Sequence, residues 1–300
     1  MEITAAMVKE LREKTAAGMM DCKKALVECG GDMDKAVDYL RTKGLAAAAK
    51  KAHRSTNEGV VAAWTDAGQT LGVLVEINCE TDFVARNEKF RELGANLAYH
   101  VGQAAPAYVR CEDAPAGAHD AQQCLMDQPY VHDAKLAVKD YVAASIAVIG
   151  ENIVVRRFAR LEAAAGGFFA SYIHSNHKLG VLVEIAGAAG DAAHEAGRNV
   201  AMQVAAANPR WVRREDVPAD VLEHERVIFR EQMKESGKPA QVIEKIVEGK
   251  LDKFFKENCL VEQIYIRDDK LTVKAYLESL HPAAGALDVR RFSRLQVGEE

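Results

Sequence analysis

The sequence predicts an α+β protein with an N-terminal helical module, a duplicated core and a helical-hairpin insertion. The first observation is a repeat, because residues 71–77 and residues 179–185 both read LGVLVEI. The closing segments repeat as well, since residues 155–161 (VRRFARL) return as residues 289–295 (VRRFSRL). A repeat of this length indicates a duplicated domain rather than a short solenoid unit.

The second observation is a helical pattern over residues 1–45. Val8 and Leu11 recur at helical spacing, and Asp21 is expected to cap a second helix. Two glycines then interrupt the pattern, and Asp32 is expected to cap a third helix. Three helices in so short a segment bury only a small core, so such a module usually gains stability from what it binds.

The third observation is the order of elements in each repeat. Two strand-like runs joined by a turn signal are followed by helices, which we expect over residues 82–104 and 134–148, and then by a closing strand. The predicted units are the N-terminal module (1–45), an alanine- and lysine-rich linker arm (46–57), core subdomain 1 (58–162), core subdomain 2 (163–214 and 260–300) and an insertion (215–259).

The insertion is predicted to be an antiparallel coiled coil. Apolar residues at helical spacing, among them Leu222 and Phe229, precede a Gly-Lys-Pro turn at residues 237–239. Ile243 and Leu251 continue the spacing after the turn. A projecting arm of this kind provides contact surface rather than chemistry.

Composition excludes several classes of function. A formal net charge of −5 argues against direct binding to nucleic acid. No apolar run approaches the ~18 residues that would span a membrane, and no export pattern precedes the first helix, so we expect a cytoplasmic protein. The six cysteines form no Cys-x-x-Cys pair and are expected to be reduced. We expect no cofactor and no metal.

The two copies differ most just after the repeated strand. Copy one continues as NCETDFVARN (residues 78–87), whereas copy two reads AGAAGD (residues 186–191) and has no aromatic residue. An acidic and aromatic pair, Asp82 and Phe83, therefore stands at a strand-to-helix corner in one copy only. Either the pair protrudes to serve a specific task, or Asp82 is a helix N-cap and Phe83 a core residue of the first turn.

These segments resemble those of a known family. TDFVAR at residues 81–86 and GMMDCKKAL at residues 18–26 are similar to the hallmark segments of bacterial elongation factor Ts. The likeness runs essentially end to end and also covers VKELR (8–12), IGENI (149–153), Ser171-Tyr172-x-His174 and SGKP (236–239).

The resemblance implies a guanine-nucleotide exchange factor for elongation factor Tu that carries out no covalent chemistry. It implies that the N-terminal module resembles a ubiquitin-associated (UBA) domain, and it leaves open whether two copies pair as a homodimer or in a 2:2 complex. The partner-binding residues it implies are Val8, Leu11, Met19 and Met20 in the module, Thr81, Asp82, Phe83 and Val84 at the corner, and His174 in core subdomain 2.

Some of these residues could instead have a purely structural role. Val8 and Leu11 could form the core of their own module, and His174 could be a polar residue of a hairpin loop. At the level of the whole protein, one alternative is a UBA-type adaptor that binds a partner without affecting its nucleotide. Another is an enzyme that uses Glu76, Glu80 and Asp82 as an acid/base or metal cluster.

Overall fold

A computed structural model of the chain describes residues 3–15, 17–115, 120–187, 189–234, 239–280 and 285–299. Its helices are α1 (Ala5–Thr15), α2 (Met19–Glu28), α3 (Met33–Lys51), α4 (Asp82–Ala85), α5 (Glu88–Ala104), α6 (Val138–Ile149), α7 (Asp191–Ala207), α8 (Ala219–Met233), α9 (Ala240–Asn258) and α10 (Val273–Ser279). Its strands are β1 (Glu58–Thr65), β2 (Leu71–Cys79), β3 (Pro129–Tyr130), β4 (Asp133–Ala137), β5 (Val154–Glu162), β6 (Gly167–Ile173), β7 (Leu179–Ala186), β8 (Ile264–Tyr265), β9 (Asp268–Thr272) and β10 (Asp288–Gln296). The predicted α+β class is confirmed. Among the described residues, no helix is both long and apolar enough to cross a membrane.

Each LGVLVEI segment forms the central strand of a three-stranded antiparallel sheet. The strand orders are β1-β2-β5 and β10-β7-β6. The registers also match: Val75 pairs with Phe158 of the closing strand in the first sheet, and Val183 pairs with Phe292 in the second. Two copies of one pattern have therefore built the same sheet twice.

The two sheets pack face to face. Val61 and Leu74 from the first sheet meet Phe169 and Leu182 from the second in a shared apolar layer. The glycine of each LGVLVEI segment permits this close approach. A Cβ at Gly180 would lie 2.5 Å from Val61 Cγ1, and a Cβ at Gly72 would lie 3.0 Å from the Phe169 ring. A larger residue at either position would push the sheets apart.

The outer face of each sheet is covered by helices. Val73, Val75 and Ile77 alternate with the residues of the shared layer and pack with α5 and α6 in the core of subdomain 1. The equivalent residues of β7 pack with α7 and α10 in the core of subdomain 2. The core therefore consists of four layers, helices outside and two sheets inside.

The N-terminal module has its own small core, centred on Leu11, Leu26 and Ala36. Asp32 caps the third helix as predicted, since its side chain accepts a hydrogen bond from the Lys35 N–H. The prediction for Asp21 is wrong. The second helix begins earlier, at Met19, and Asp21 lies in its first turn, where it pairs with Lys43 at 2.5 Å.

The segment expected to be a linker arm is largely helical and packed. Helix α3 runs without a break to Lys51, and Ala48 packs against the core of subdomain 1. Arg41 of the same helix pairs with the buried Asp140 of α6 at 2.5 Å. Alanine-rich sequence favours a helix, and the apolar surface of α6 holds that helix in place.

The helices of subdomain 1 begin and end differently from the prediction. The helix expected over residues 82–104 is divided into α4 and α5, because the Asn87 side chain accepts from the Lys89 N–H and starts a new helix. The helix expected over residues 134–148 begins only at Val138, since the preceding residues pair with β3. Local capping and strand pairing override helical periodicity at both places.

The insertion contains two helices, α8 and α9, which pack side by side and are linked by an ion pair between Arg230 and Glu244 (2.9 Å). Of the Gly-Lys-Pro turn predicted between them, Gly237 and Lys238 lie outside the described part of the chain.

The prediction that all six cysteines are reduced is wrong. Cys111 and Cys124 form a disulfide, with their Cα atoms 5.2 Å apart. A β-bridge between Tyr108 and Cys124 brings the two segments together. The pairing follows from tertiary structure, so the spacing of cysteines along the chain does not reveal it.

We predict that reduction of the disulfide destabilises core subdomain 1. Cys111 and Cys124 are 13 residues apart, and release of a loop of this length costs about 2–4 kcal/mol of unfolding free energy. Denaturant unfolding with and without a phosphine reductant measures the change. In the control variant Cys111→Ser/Cys124→Ser, the reductant should have no further effect; an equal shift in that variant would contradict the prediction.

Candidate functional site

The strand-to-helix corner of subdomain 1 joins the end of β2 to α4. Thr81 is the N-cap of this short helix, because its Oγ1 accepts a hydrogen bond from the Val84 N–H at 3.4 Å. The alternative that Asp82 is the N-cap is therefore wrong. Asp82 is the first helical residue, and its carboxylate is held by Arg86, one turn later, at 2.9 Å.

Phe83 is the most exposed of the large apolar side chains that the structure describes, with 81% of its surface accessible. Its neighbours turn the other way: Ala85 is buried, and Val84 packs against the core of subdomain 1. The alternative in which Phe83 is a core residue of the first turn is excluded. The corner presents an aromatic ring to solvent, next to a partly exposed carboxylate.

The corner is supported by polar groups from two distant segments. Glu80 accepts a hydrogen bond from the Asn152 N–H at 2.6 Å and pairs with Arg54 at 3.3 Å. The hydrogen bond from Asn152, helped by the charge of Arg54, holds the pKa of Glu80 below its ordinary value. Sequence reasoning missed Arg54 and Asn152 as supports, because neither lies near the corner in the sequence.

The cysteine beside the corner is not a reactive nucleophile. Cys79 is fully buried, and its thiol donates to the Thr81 carbonyl oxygen at 3.2 Å. Burial, reinforced by the nearby carboxylate of Glu151, raises the pKa of the Cys79 thiol to about 12. The thiol is therefore protonated and unreactive near neutral pH.

In the N-terminal module, the four predicted binding residues separate into two pairs. Val8 and Leu11 are buried in the module's own core, in agreement with the alternative that they are structural residues. Met19 and Met20 are exposed, by 49% and 74%, at the start of α2. Of these four residues, only the methionine pair is exposed.

His174 lies exposed at the turn between β6 and β7, and its Nδ1 is 2.9 Å from the Tyr172 hydroxyl. This turn of subdomain 2 packs beside subdomain 1, since the Val61 N–H donates to the His177 carbonyl oxygen at 2.7 Å and Lys178 pairs with Glu58 at 2.6 Å. The same contacts fix the position of the turn relative to β1.

The acidic cluster of the enzyme alternative does not form. Glu76 is buried between the sheets and bound by Arg157 at 2.7 Å, whereas Glu80 pairs with Arg54 outside the strand. Asp82 is held by its own arginine on α4. The three carboxylates thus have three separate basic partners and share no site.

Comparison with known protein sequences identifies the family of the chain. A family model described as elongation factor TS matches residues 80–299. The chain belongs to the elongation factor Ts family. Elongation factor Ts of Nitratidesulfovibrio vulgaris (strain DP4) is 50% identical over 307 residues, covering 100% of this chain and 97% of the relative. The elongation factors Ts of Trichlorobacter lovleyi (46% identical over 305 residues, 100% and 94% covered) and Clostridium botulinum (46% over 299 residues, 99% and 93% covered) are also similar. The resemblance found in the sequence is confirmed, and with it a role in translation elongation.

We predict that removal of the Phe83 ring leaves stability unchanged. Because the ring is exposed, Phe83→Ala should alter the free energy of unfolding by no more than about 0.5 kcal/mol. Phe90, seven positions later and fully buried, is the matched control, and Phe90→Ala should cost about 3–5 kcal/mol. Denaturant unfolding of both variants tests this; similar losses in the two would show that Phe83 is a packing residue.

Proposed function

We propose that this chain binds elongation factor Tu and promotes release of its GDP, so that GTP can bind during translation elongation. Phe83 and its neighbours Thr81, Asp82 and Val84 form the contact that disturbs the Mg²⁺ and phosphate site of the partner. The single observation that carries the proposal is the exposed ring of Phe83 on an ordered corner. The family to which the chain belongs supplies the partner.

The physics of nucleotide retention explains why one ring is enough to begin exchange. GTP-binding proteins hold their nucleotide largely through Mg²⁺ and through backbone amides around the phosphates. A ring inserted beside the metal displaces side chains that position it, and affinity falls without any contact to the base. Asp82, held next to the ring by Arg86, adds negative charge close to the phosphates.

Energetics require further contacts. Exchange couples two binding equilibria, so the factor must prefer the nucleotide-free partner as strongly as it weakens nucleotide binding. A thousandfold effect needs roughly 4 kcal/mol. Burial of a single Phe side chain contributes about 1.5–3 kcal/mol, so the Phe83 ring accounts for only part of the required free energy.

Met19 and Met20 supply a contact of a different kind, which contributes affinity for the partner whether or not nucleotide is bound. Both are exposed on the N-terminal module, and flexible thioether side chains adapt to an apolar groove on a partner. Val8 and Leu11 act indirectly, by forming the core that holds α2 in place. In this proposal the module grips the partner while the corner acts on its nucleotide site.

The second subdomain extends the contact. His174 is exposed at the β6–β7 turn, and its ring is oriented by the Tyr172 hydroxyl. The antiparallel arm formed by α8 and α9 projects charged side chains along its length and offers a further surface. We assign both to partner binding rather than to displacement of the nucleotide.

A UBA-type adaptor is the competing function, because the exposed methionine pair suits it equally well. The two functions differ in one measurement. An adaptor would bind elongation factor Tu and leave the rate of GDP release at its uncatalysed value, whereas an exchange factor would raise it.

We predict that Phe83→Ala and Asp82→Ala each slow the factor-stimulated release of fluorescent GDP from elongation factor Tu at least about tenfold, or roughly 1.4 kcal/mol. Stopped-flow fluorescence measures the rate. Ile266→Ala, which truncates another exposed apolar residue, is the control. With this variant, elongation factor Tu should release GDP at the rate seen with the wild-type factor. A wild-type rate equal to that without factor would refute the exchange function.

We predict a different signature for the methionines. Met19→Ala/Met20→Ala removes binding surface remote from the nucleotide, so the concentration of factor needed for half-maximal release should rise about tenfold or more. The maximal rate should stay within about twofold of wild type, because this interaction is the same before and during nucleotide release. A lower maximal rate at unchanged half-saturation would contradict the assignment.

A further inference from the structure

One carboxylate from a distant part of the chain binds the corner that carries Phe83. Oε2 of Glu151 accepts hydrogen bonds from the backbone N–H groups of Glu80 and Thr81, each at 3.0 Å. Oε1 of Glu151 accepts a third from the Thr81 hydroxyl at 2.6 Å. Three donors from two consecutive residues therefore converge on a single side chain.

The contact is reciprocal. While Glu151 binds the backbone of the corner, the Glu80 side chain accepts from the backbone N–H of Asn152 at 2.6 Å. Asn152 is itself buried, and its Nδ2 donates to the Arg54 carbonyl oxygen at 2.9 Å. The two segments clasp each other through charge-assisted hydrogen bonds, which are stronger than neutral ones.

The corner needs such support because its helix is very short. Helix α4 contains only four residues, and a single helical turn has little stability of its own. Phe83 adds no burial that would hold the turn in place. The backbone of Glu80 and Thr81 leads directly into α4, so the groups that fix this backbone also fix the direction in which the ring points.

The second copy provides an internal comparison. Both copies reach their closing strand through a glycine with positive φ, Gly150 (+93°) and Gly285 (+72°). After this glycine, the first copy reads Glu-Asn-Ile, whereas the second reads Ala-Leu-Asp, and the carboxylate of that residue, Asp288, is bound by Arg213 at 2.8 Å. The corner of the second copy also has no aromatic residue. The glutamate directly after the glycine and the aromatic residue at the corner thus occur in the same copy, and neither has a counterpart in the other.

We propose that Glu151 is a positioning residue for nucleotide exchange, which holds the corner so that Phe83 meets the partner in a productive orientation. This inference rests on the proposed exchange function. Glu151 acts through Thr81 and the first turn of α4, and its removal should reduce the efficiency of the ring rather than the affinity of the other contacts.

The test is a double-mutant cycle on the release of fluorescent GDP from elongation factor Tu. Glu151→Ala alone should lower the maximal rate about five- to tenfold, with the half-saturating concentration changed less than about twofold. Combined with Phe83→Ala, it should cause no further loss, because a ring that is absent cannot be misdirected. If Glu151 only stabilised the fold, its replacement would lower the maximal rate by the same factor in the wild-type protein and in Phe83→Ala.

Two further variants separate position from charge and from stability. Glu151→Gln keeps the shape and can still accept both backbone N–H groups, so it should recover most of the rate lost in the alanine variant. Asp66→Ala is the matched control, since Asp66 accepts from the Leu71 N–H (2.6 Å) and the Thr70 hydroxyl (3.0 Å) at the opposite end of β2. It should lower the melting temperature and leave the release rate unchanged.

Hydrogen exchange gives an independent readout. The amides of Glu80 and Thr81 should exchange faster in Glu151→Ala, while those in the centre of β2 stay protected. Glu151→Asp, whose carboxylate is one methylene shorter, should show the same changes and replaces the alanine variant if that protein does not fold.

The outcomes are distinguishable. An unchanged maximal rate in Glu151→Ala, or an equal loss in the presence and absence of Phe83, would overturn the positioning role while the exchange function stands. A wild-type protein that fails to accelerate release would overturn the exchange function and this inference together.

Discussion

The close contact between the two repeated strands is the constraint on which the rest of the structure depends. Gly72 and Gly180 allow the sheets to approach until a Cβ at either position would clash with the opposite sheet. At this distance β2 and β7 are covered on both faces, which is why LGVLVEI is almost entirely apolar. The one charged residue of each segment, Glu76 or Glu184, is buried with an arginine of the adjacent closing strand. Loops at the ends of this sandwich remain free to differ.

The two copies have diverged at matched positions of an otherwise common frame. In the first copy, the connection from Cys111 to Cys124 is short and closed by a disulfide. In the second copy, a backbone β-bridge between Trp211 and Cys259 corresponds to the one between Tyr108 and Cys124 in the first. The arm of α8 and α9 lies between Trp211 and Cys259 in the sequence. Arg214 and Glu262 form an ion pair at the base of the arm. The connection in the second copy thus carries two long helices, whereas its counterpart in the first copy joins two cysteines only 13 positions apart.

The residues that serve the proposed function contribute little to the stability of their own fold. Phe83 and Met20 are exposed, and neither lies in any of the apolar cores. Their positions are nevertheless ordered by residues that do carry structure, such as the N-cap Thr81 and the buried Leu11. Because these apolar side chains are exposed in the free protein, the free energy of burying them is available when a partner binds. At the corner, this support comes from polar residues that are distant in the sequence, such as Glu151.

The sequence by itself determined the class of fold, the duplication and the corner at which the two copies differ, because periodicity and the difference between copies are local patterns. Whether Phe83 at that corner is exposed was decided by the structure. It also identified Asp32 as a cap, since capping acts over three residues. Only the tertiary structure decided that Val8 and Leu11 lie in a core, and that Cys111 is paired. The support of Thr81 by Glu151 joins residues 70 positions apart. Such contacts depend on how sheets and helices pack, and no pattern within a short window of sequence encodes them.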